Sequence, residues 1–225
     1  MNAADELVSC FWIYRLRPSW RLLDRSARRA GVAAAAKLLA EAVDEGLELR
    51  GTYSLTGLRA DADLMLWWIT PHLDRLHELA VGLRRTHLGE NLEPREVFLG
   101  LAGASQYASD HRPAFASGEA ARRYAAVYPF VKTAAWYLLP YEERRRLMAE
   151  HGRVGREYPV GASTVRAFGL GDAEFIVTLE SESLVALVDC MEALRRVEVR
   201  TYTQRDLPVY LGRLQPLEPV LSELA

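Results

Sequence analysis

The feature that most restricts this chain is that it says the same thing twice. Gly57-Leu58 and Asp61-Ala62-Asp63-Leu64 recur as Gly169-Leu170 and Asp172-Ala173-Glu174-Phe175. Arg84 and Arg195 each lie 23 positions beyond the leading Asp of their set, in Leu83-Arg84-Arg85 and Leu194-Arg195-Arg196. Val97-Phe98-Leu99-Gly100 then returns as Val209-Tyr210-Leu211-Gly212. Three landmarks at near-equal spacing point to two copies of one structural unit, and the first copy shows what that unit is. Ser9 to Leu16 is rich in β-formers and is closed by Pro18. Leu23 to Glu45 reads as a long helix with four alanines at 33–36 and Gly46 as its stop. Strands over Leu47–Ser54 and Asp63–Ile69 come next. Pro71–Thr86 is a helix with Leu73, Leu76, Leu79, Ala80 and Leu83 on its inner side, and Val97–Ala102 is a strand.

Strand, helix, two strands, helix, strand is the split βαβ or ferredoxin-like order. The expected fold is therefore α+β: a duplicated ferredoxin-like chain, or dimeric α+β barrel, with two antiparallel sheets facing each other and helices outside. Residues 1–102 form the first half and 128–225 the second. Residues 103–127 are a linker or lid loop carrying His111, with a short helix expected over Glu119–Ala126.

Composition removes several function classes. A net charge of -2 gives no footprint for nucleic acid or an anionic membrane surface. No apolar run approaches the length of a membrane span, and the Met-Asn-Ala-Ala-Asp-Glu start lacks the basic and apolar regions of a signal peptide, so a cytoplasmic location is expected. Cys10 and Cys190 stand singly in apolar runs and read as buried free thiols. His72 and His77 are five apart, not the four that puts two zinc ligands on one helix face, and with His87 they read as surface residues. There is no phosphate loop and no Gly-x-Ser-x-Gly elbow.

Chemistry concentrates in Tyr128-Pro-Phe-Val-Lys-Thr-Ala-Ala-Trp-Tyr-Leu-Leu-Pro140 and the helix after it. Tyr128, Lys132 and Trp136 are spaced to share one face of a strand. Pro140 with Glu142 and Glu143 marks a helix start, and Gly152 marks its stop. Arg144, Leu147 and His151 fall on one side of that helix. His151 reads either as a cation near a helix C-terminus or as a ligand. The first half has no histidine in the matching helix and no lysine in its opening strand, where Cys10, Trp12 and Tyr14 stand, so any chemistry belongs to the second half. An imidazole facing a tyrosine-bearing strand is the kind of site that can hold a haem iron from one side.

These residues carry a resemblance. Tyr128-Pro-Phe-Val-Lys132, Trp136-Tyr-Leu-Leu-Pro140, Glu142-Glu-Arg-Arg-Arg-Leu-Met-Ala-Glu-His151-Gly152 and Arg156-Glu-Tyr158 are similar to the signature of the chlorite dismutase superfamily. Within it they resemble the coproheme decarboxylase branch of actinobacterial type, and the likeness runs from Gly51 to Gly212. The resemblance implies a ring of subunits, usually a homopentamer, in the coproporphyrin-dependent route to haem. It implies hydrogen-peroxide-dependent decarboxylation of two propionates of iron-coproporphyrin III (coproheme) to give haem b, the iron porphyrin being substrate and redox cofactor together. By the same resemblance His151 is the metal ligand, Tyr128 the catalytic radical-forming tyrosine, Lys132 a propionate holder and Trp136 a pocket residue. His111 matches a distal base that takes the proton of peroxide, against the plainer reading of a solvated loop histidine. Ala162 stands where the oxygen-evolving branch has an arginine and the Firmicute decarboxylases a glutamine, which argues against chlorite turnover; Arg166 lies nearby. Glu198 reads as a partner of His151 or as surface charge. The alternative is a haem-binding protein or sensor, or another chlorite-dismutase-like haem peroxidase, with no decarboxylase activity.

Overall fold

The computed structural model describes residues 7–103, 106–107 and 113–225, so His111 lies outside the described residues. By contact the chain forms two units, Met1–Leu99 with Gly212–Ala225, and Gly100–Leu211.

In the first unit, β1 (Val8–Leu16) leads through a 3-10 turn at Pro18–Leu22 into α1 (Arg25–Asp44). Asp24 caps α1 by accepting the Ala27 N–H at 2.9 Å, satisfying one of the donors a helix start leaves open. Val32, Ala35, Leu39 and Ala42 make the buried stripe of α1. β2 (Glu48–Ser54), β3 (Leu64–Thr70), α2 (Leu73–Arg84), the single turn α3 (His87–Glu90) and β4 (Leu92–Leu101) follow. Leu76, Leu79 and Leu83 are buried as the spacing predicts, but Leu73 opens α2 on the exposed side. The strand order is β4-β1-β3-β2-β9, with the end of β9 (Tyr210–Gln215) on β2. α7 (Leu217–Ser222) closes the unit. All seven residues of β3 are buried, and stacked Phe11 and Trp67, 4.6 Å apart, fill one side of it.

In the second unit, β5 (Tyr124–Lys132), the short α4 (Ala134–Leu138) and α5 (Tyr141–Gly155) lead to β6 (Gly161–Arg166), β7 (Phe175–Ser181), α6 (Leu184–Leu194) and β8 (Thr203–Arg205). The strand order is β6-β7-β5-β8, with antiparallel pairing throughout. The architecture is α+β, antiparallel sheets with helices, and each half of the chain runs strand, helix, two strands, helix, strand.

Three local expectations are corrected here. The stretch expected as a helix over Glu119–Ala126 is irregular up to Arg123 and then extended, because β7 offers an open edge from Phe175 to Ser181 that residues 124–130 fill. α5 does not stop at Gly152 but continues to Gly155; Val154 packs on the cluster of Trp136 and Leu147, and that burial outweighs the ~1 kcal/mol a glycine costs inside a helix. Trp136 is not on the strand at all, since β5 ends at Lys132 and the tryptophan sits on α4. Cys10 and Cys190 are buried and unbonded to each other, as expected; burial pushes the Cys10 thiol up to about 12.

Candidate active site

The site grows from one face of the second unit's sheet. Pairing places Thr164 opposite Val177 and Val177 opposite Tyr128. The row on one side is Ala162, Leu179 and Ala126; the row on the other is Arg166, Phe175 and Phe130. Residues opposite one another across a ladder share a face, so these nine side chains form one surface. On β6 the alternation is complete: Gly161, Ser163 and Val165 are buried, whereas Ala162, Thr164 and Arg166 are exposed. A sheet face backed by core and left open at one strand is a floor that a flat ligand can occupy.

Leu187 and Met191 of α6 pack against Tyr128 at the closed end of this floor. The Tyr128 hydroxyl donates to the Met191 sulfur at 3.8 Å. Burial, with the nearby Asp206 carboxylate, holds the phenol well above its ordinary range, so it keeps its O–H at any working pH. Asp206 itself is paired with Arg195 and, at 3.3 Å, with Arg200.

Four residues on, the chain stops being a strand. The Lys132 N–H is taken by Glu174 Oε2 at 2.7 Å, and the Thr133 N–H by the Tyr202 carbonyl at 2.9 Å. With its ladder finished, the Ala134-Ala135 segment turns into α4 and carries Trp136 back beneath the lysine. Lys132 Nζ lies 4.2 Å from the Trp136 ring and 5.2 Å from the Phe130 ring, a cation held between aromatic faces. Burial lowers Lys132 to about 8, Glu174 opposing the shift and Arg200 adding to it. At pH 7 the group is still mainly an ammonium, only 8% exposed, with no carboxylate at salt-bridge distance among the described ion pairs.

α5 supplies the third component. Glu142 and Glu143 occupy its first turn after Pro140, where acids suit the helix dipole. Leu147 is fully buried in the cluster of Trp136, Val197 and Val199, and this fixes the rotation of the helix. His151, one turn further along the same side, is thereby turned inward. Its Nδ1 is buried without a hydrogen-bond partner. Burial, then the charge of Lys132, lower it to about 4, so it is a neutral lone-pair donor at pH 7. The lowered basicity does not suit a cation at a helix end, and α5 runs four residues past His151 to Gly155. Glu198 bonds instead to Arg146 at 2.8 Å, in an exposed chain with Glu143.

The structure thus brings Lys132 to Trp136 and within electrostatic reach of His151, while Tyr128, on the same strand as Lys132, packs in the separate cluster of Leu179 and Leu187 and shares its sheet face with Ala162. His72, His77 and His87 are exposed and in the other unit. Met191 and Glu174 were not singled out from sequence as site residues. A signal for Glu174 did exist, in its repeat counterpart Asp63.

The chlorite dismutase family model matches residues 28–215. A coproheme decarboxylase from Mycolicibacterium smegmatis is 40% identical over 192 residues, 84% of this chain and 83% of its own. A mutant chlorite dismutase from Candidatus Nitrospira defluvii superposes with a TM-score of 0.89 at 26% identity, covering 98% of this chain and 96% of the other. The same enzyme in complex with imidazole gives 0.88 at 25% identity, covering 98% and 95%. The chain is a member of the chlorite dismutase family.

Proposed function

We propose that this protein is a coproheme decarboxylase, which uses hydrogen peroxide to convert two propionates of iron-coproporphyrin III to vinyl groups, giving haem b. The observation that carries this reading is an imidazole whose Nδ1 is buried without a hydrogen-bond partner, near the charge of a buried ammonium, Lys132, that makes no ion pair at salt-bridge distance among the described residues. Groups left in that state are matched by a ligand with a Lewis-acidic centre and anionic arms. Among the described residues no three His, Cys, Asp or Glu side chains cluster to hold a metal. An iron porphyrin brings most of its own ligands, and His151 is the residue that would hold its iron from the protein side.

When bound, the iron porphyrin supplies the redox chemistry with peroxide. The chain's own residues bind and orient it. Lys132 holds a propionate carboxylate by a charge-assisted bond. Tyr128 presents a neutral phenol able to give up a hydrogen atom and receive one from a propionate. Met191 and Leu187 keep water from that phenol, Trp136 supports Lys132, and the small Ala162 leaves room on the β6 side. His111 serves as the base toward peroxide. The halves form a duplicated ferredoxin-like fold, a reading supported by their common element order. Cytoplasmic subunits assemble as a ring, most simply a homopentamer; no described helix is long and apolar enough to cross a membrane.

The test is direct: incubate the protein with ferric coproporphyrin III, titrate peroxide, and follow products by mass. Two successive losses on the scale of a carboxyl group are expected. A porphyrin that binds but stays unchanged would overturn the proposal in favour of a carrier or sensor, for which Tyr128 and Lys132 have no purpose.

A further inference from the structure

We infer that Glu174 is a positioning residue whose single carboxylate ties the end of β5 to α4 and so sets the Lys132–Trp136 pair for an anionic arm of the substrate. This rests on the function proposed above. Glu174 Oε2 accepts two hydrogen bonds, from the Lys132 N–H at 2.7 Å and from the Tyr137 hydroxyl at 2.6 Å. Its own N–H donates to the Phe130 carbonyl at 3.2 Å. One side chain therefore grips the last residue of the strand and the helix residue next to Trp136. Bonds to an ionised acceptor are short and strong for their type, and two of them on one oxygen leave little freedom to the four residues between. The Tyr137 ring is buttressed edge-on by Phe168 at 6.1 Å, and Phe168 rests edge-on against Phe175 at 5.1 Å.

The first half shows what this device is without a site attached. There Asp63 occupies the matching place: its Oδ2 accepts the Leu16 N–H at 2.7 Å and its N–H donates to the Tyr14 carbonyl at 2.8 Å. Leu16 and Tyr14 stand to Asp63 as Lys132 and Phe130 stand to Glu174. The strand-ending clasp is thus common to both halves and is structural. What differs is reach. Glutamate is one methylene longer, about 1.5 Å, and among the described residues only the second-half carboxylate takes a second side-chain donor, Tyr137, after the strand. The added bond serves the placement of Trp136, which the first half has no need to place. Burial and the Glu174 contact both hold the Tyr137 phenol above its usual range, so the donor proton is retained.

Copying the first half into the second separates the two roles. Glu174→Asp keeps a carboxylate for the Lys132 N–H but cannot also reach Tyr137; Tyr137→Phe removes the same bond from the other side. Both variants should melt close to wild type, whereas Glu174→Ala, which loses the clasp as well, should melt lower. Without any porphyrin, amide hydrogen exchange over residues 133–138, read by mass spectrometry, should quicken in both by about tenfold, the loss of one charge-assisted bond. Ferric coproporphyrin III, titrated by absorbance, should bind about tenfold more weakly to each, and the double variant no more weakly than either single one. Unchanged exchange and unchanged affinity in Glu174→Asp and Tyr137→Phe would overturn the inference. So would a melting loss in Glu174→Asp equal to that of Glu174→Ala, which would leave only a structural clasp. Neither readout uses turnover, so wild-type protein that binds the porphyrin without decarboxylating it would refute the proposed function and leave this test standing.

Discussion

The β1/β3/β2 face of the first half and the β5/β7/β6 face of the second are built in the same register and put to opposite uses. In the first, Trp12 is opposite Leu66 and Leu66 opposite Thr52; in the second, Tyr128 is opposite Val177 and Val177 opposite Thr164. The next row is Tyr14, Leu64 and Ser54 against Phe130, Phe175 and Arg166. All six of the first-half residues are buried, at 7% exposure or less. Of their counterparts only Tyr128 is buried, while Thr164 and Arg166 are exposed. A tryptophan and a tyrosine close the first face with their own bulk. The second face stays partly open although Phe175 and Arg166 are larger than Leu64 and Ser54, with Thr164 and Arg166 reaching solvent on β6 and the lysine and the phenol standing on β5. The comparison teaches that the fold can bury this face completely, as the first half does, and that the second half leaves the matching face partly exposed.

Substitutions can erase that difference or deepen it. The largest effect belongs to His151→Ala, which should abolish peroxide-dependent decarboxylation and remove axial imidazole ligation, seen as a shift in the absorption bands of the bound porphyrin; a variant keeping both would break the site assignment. Next is Tyr128→Trp, which writes the first-half Trp12 into the second half, alongside the milder Tyr128→Phe. Turnover should disappear in both while Tyr128→Phe still binds coproheme, and a Tyr128→Phe enzyme at full rate would remove the hydrogen-atom role from the phenol. Lys132→Leu copies Leu16. Losing a charge-assisted bond of roughly 1.5–3 kcal/mol should weaken coproheme binding about ten- to a hundredfold.

Effects of pH come last in size and have definite signs. Lys132 sits at about 8 in the fold against an ordinary 10.5, so wild-type affinity for coproheme should fall as pH rises through 8, and Lys132→Leu should flatten that profile. In the protein free of porphyrin, His151 sits at about 4 against 6.5. The unfolded chain therefore binds the proton first; stability should be full above 6.5 and fall as pH drops toward 4. Melting temperature followed from pH 7 to 4 should show the fall, and His151→Leu should reduce it. Chlorite should release little oxygen from the wild type, consistent with Ala162 in place of a guanidinium; brisk oxygen evolution would contradict it.

How much of this could be read from residues alone depends on whether the signal was local. The long helix, the first three strands and α2 follow from period and punctuation, and their observed limits differ from the expected ones by few residues outside β4. His151 was legible as sharing a side with Leu147, because helical spacing fixes that. Its lowered basicity was not, because it comes first from burial and then from the charge of Lys132 on another element. Tyr128 and Lys132 do share β5, but Trp136, expected on the same strand face, stands on α4. Alternation holds only while a ladder continues, and Glu174, 42 positions beyond Lys132, ends it. The same blindness explains the helix expected over Glu119–Ala126. Glu119 and Arg122 do form an ion pair at 2.8 Å with the spacing a helix would give, yet Tyr124 onward is taken by the edge of β7.

What the sequence determined by itself is the repeated order of elements and the inventory of chemistry, since periodicity, turn residues and the matched landmarks are properties of neighbouring positions along the chain. Which strand stops where, which histidine is neutral and which sheet face stays open were decided only by the tertiary structure. Desolvation, exposure and hydrogen-bond partnership are set by residues far apart in the chain that folding brings together.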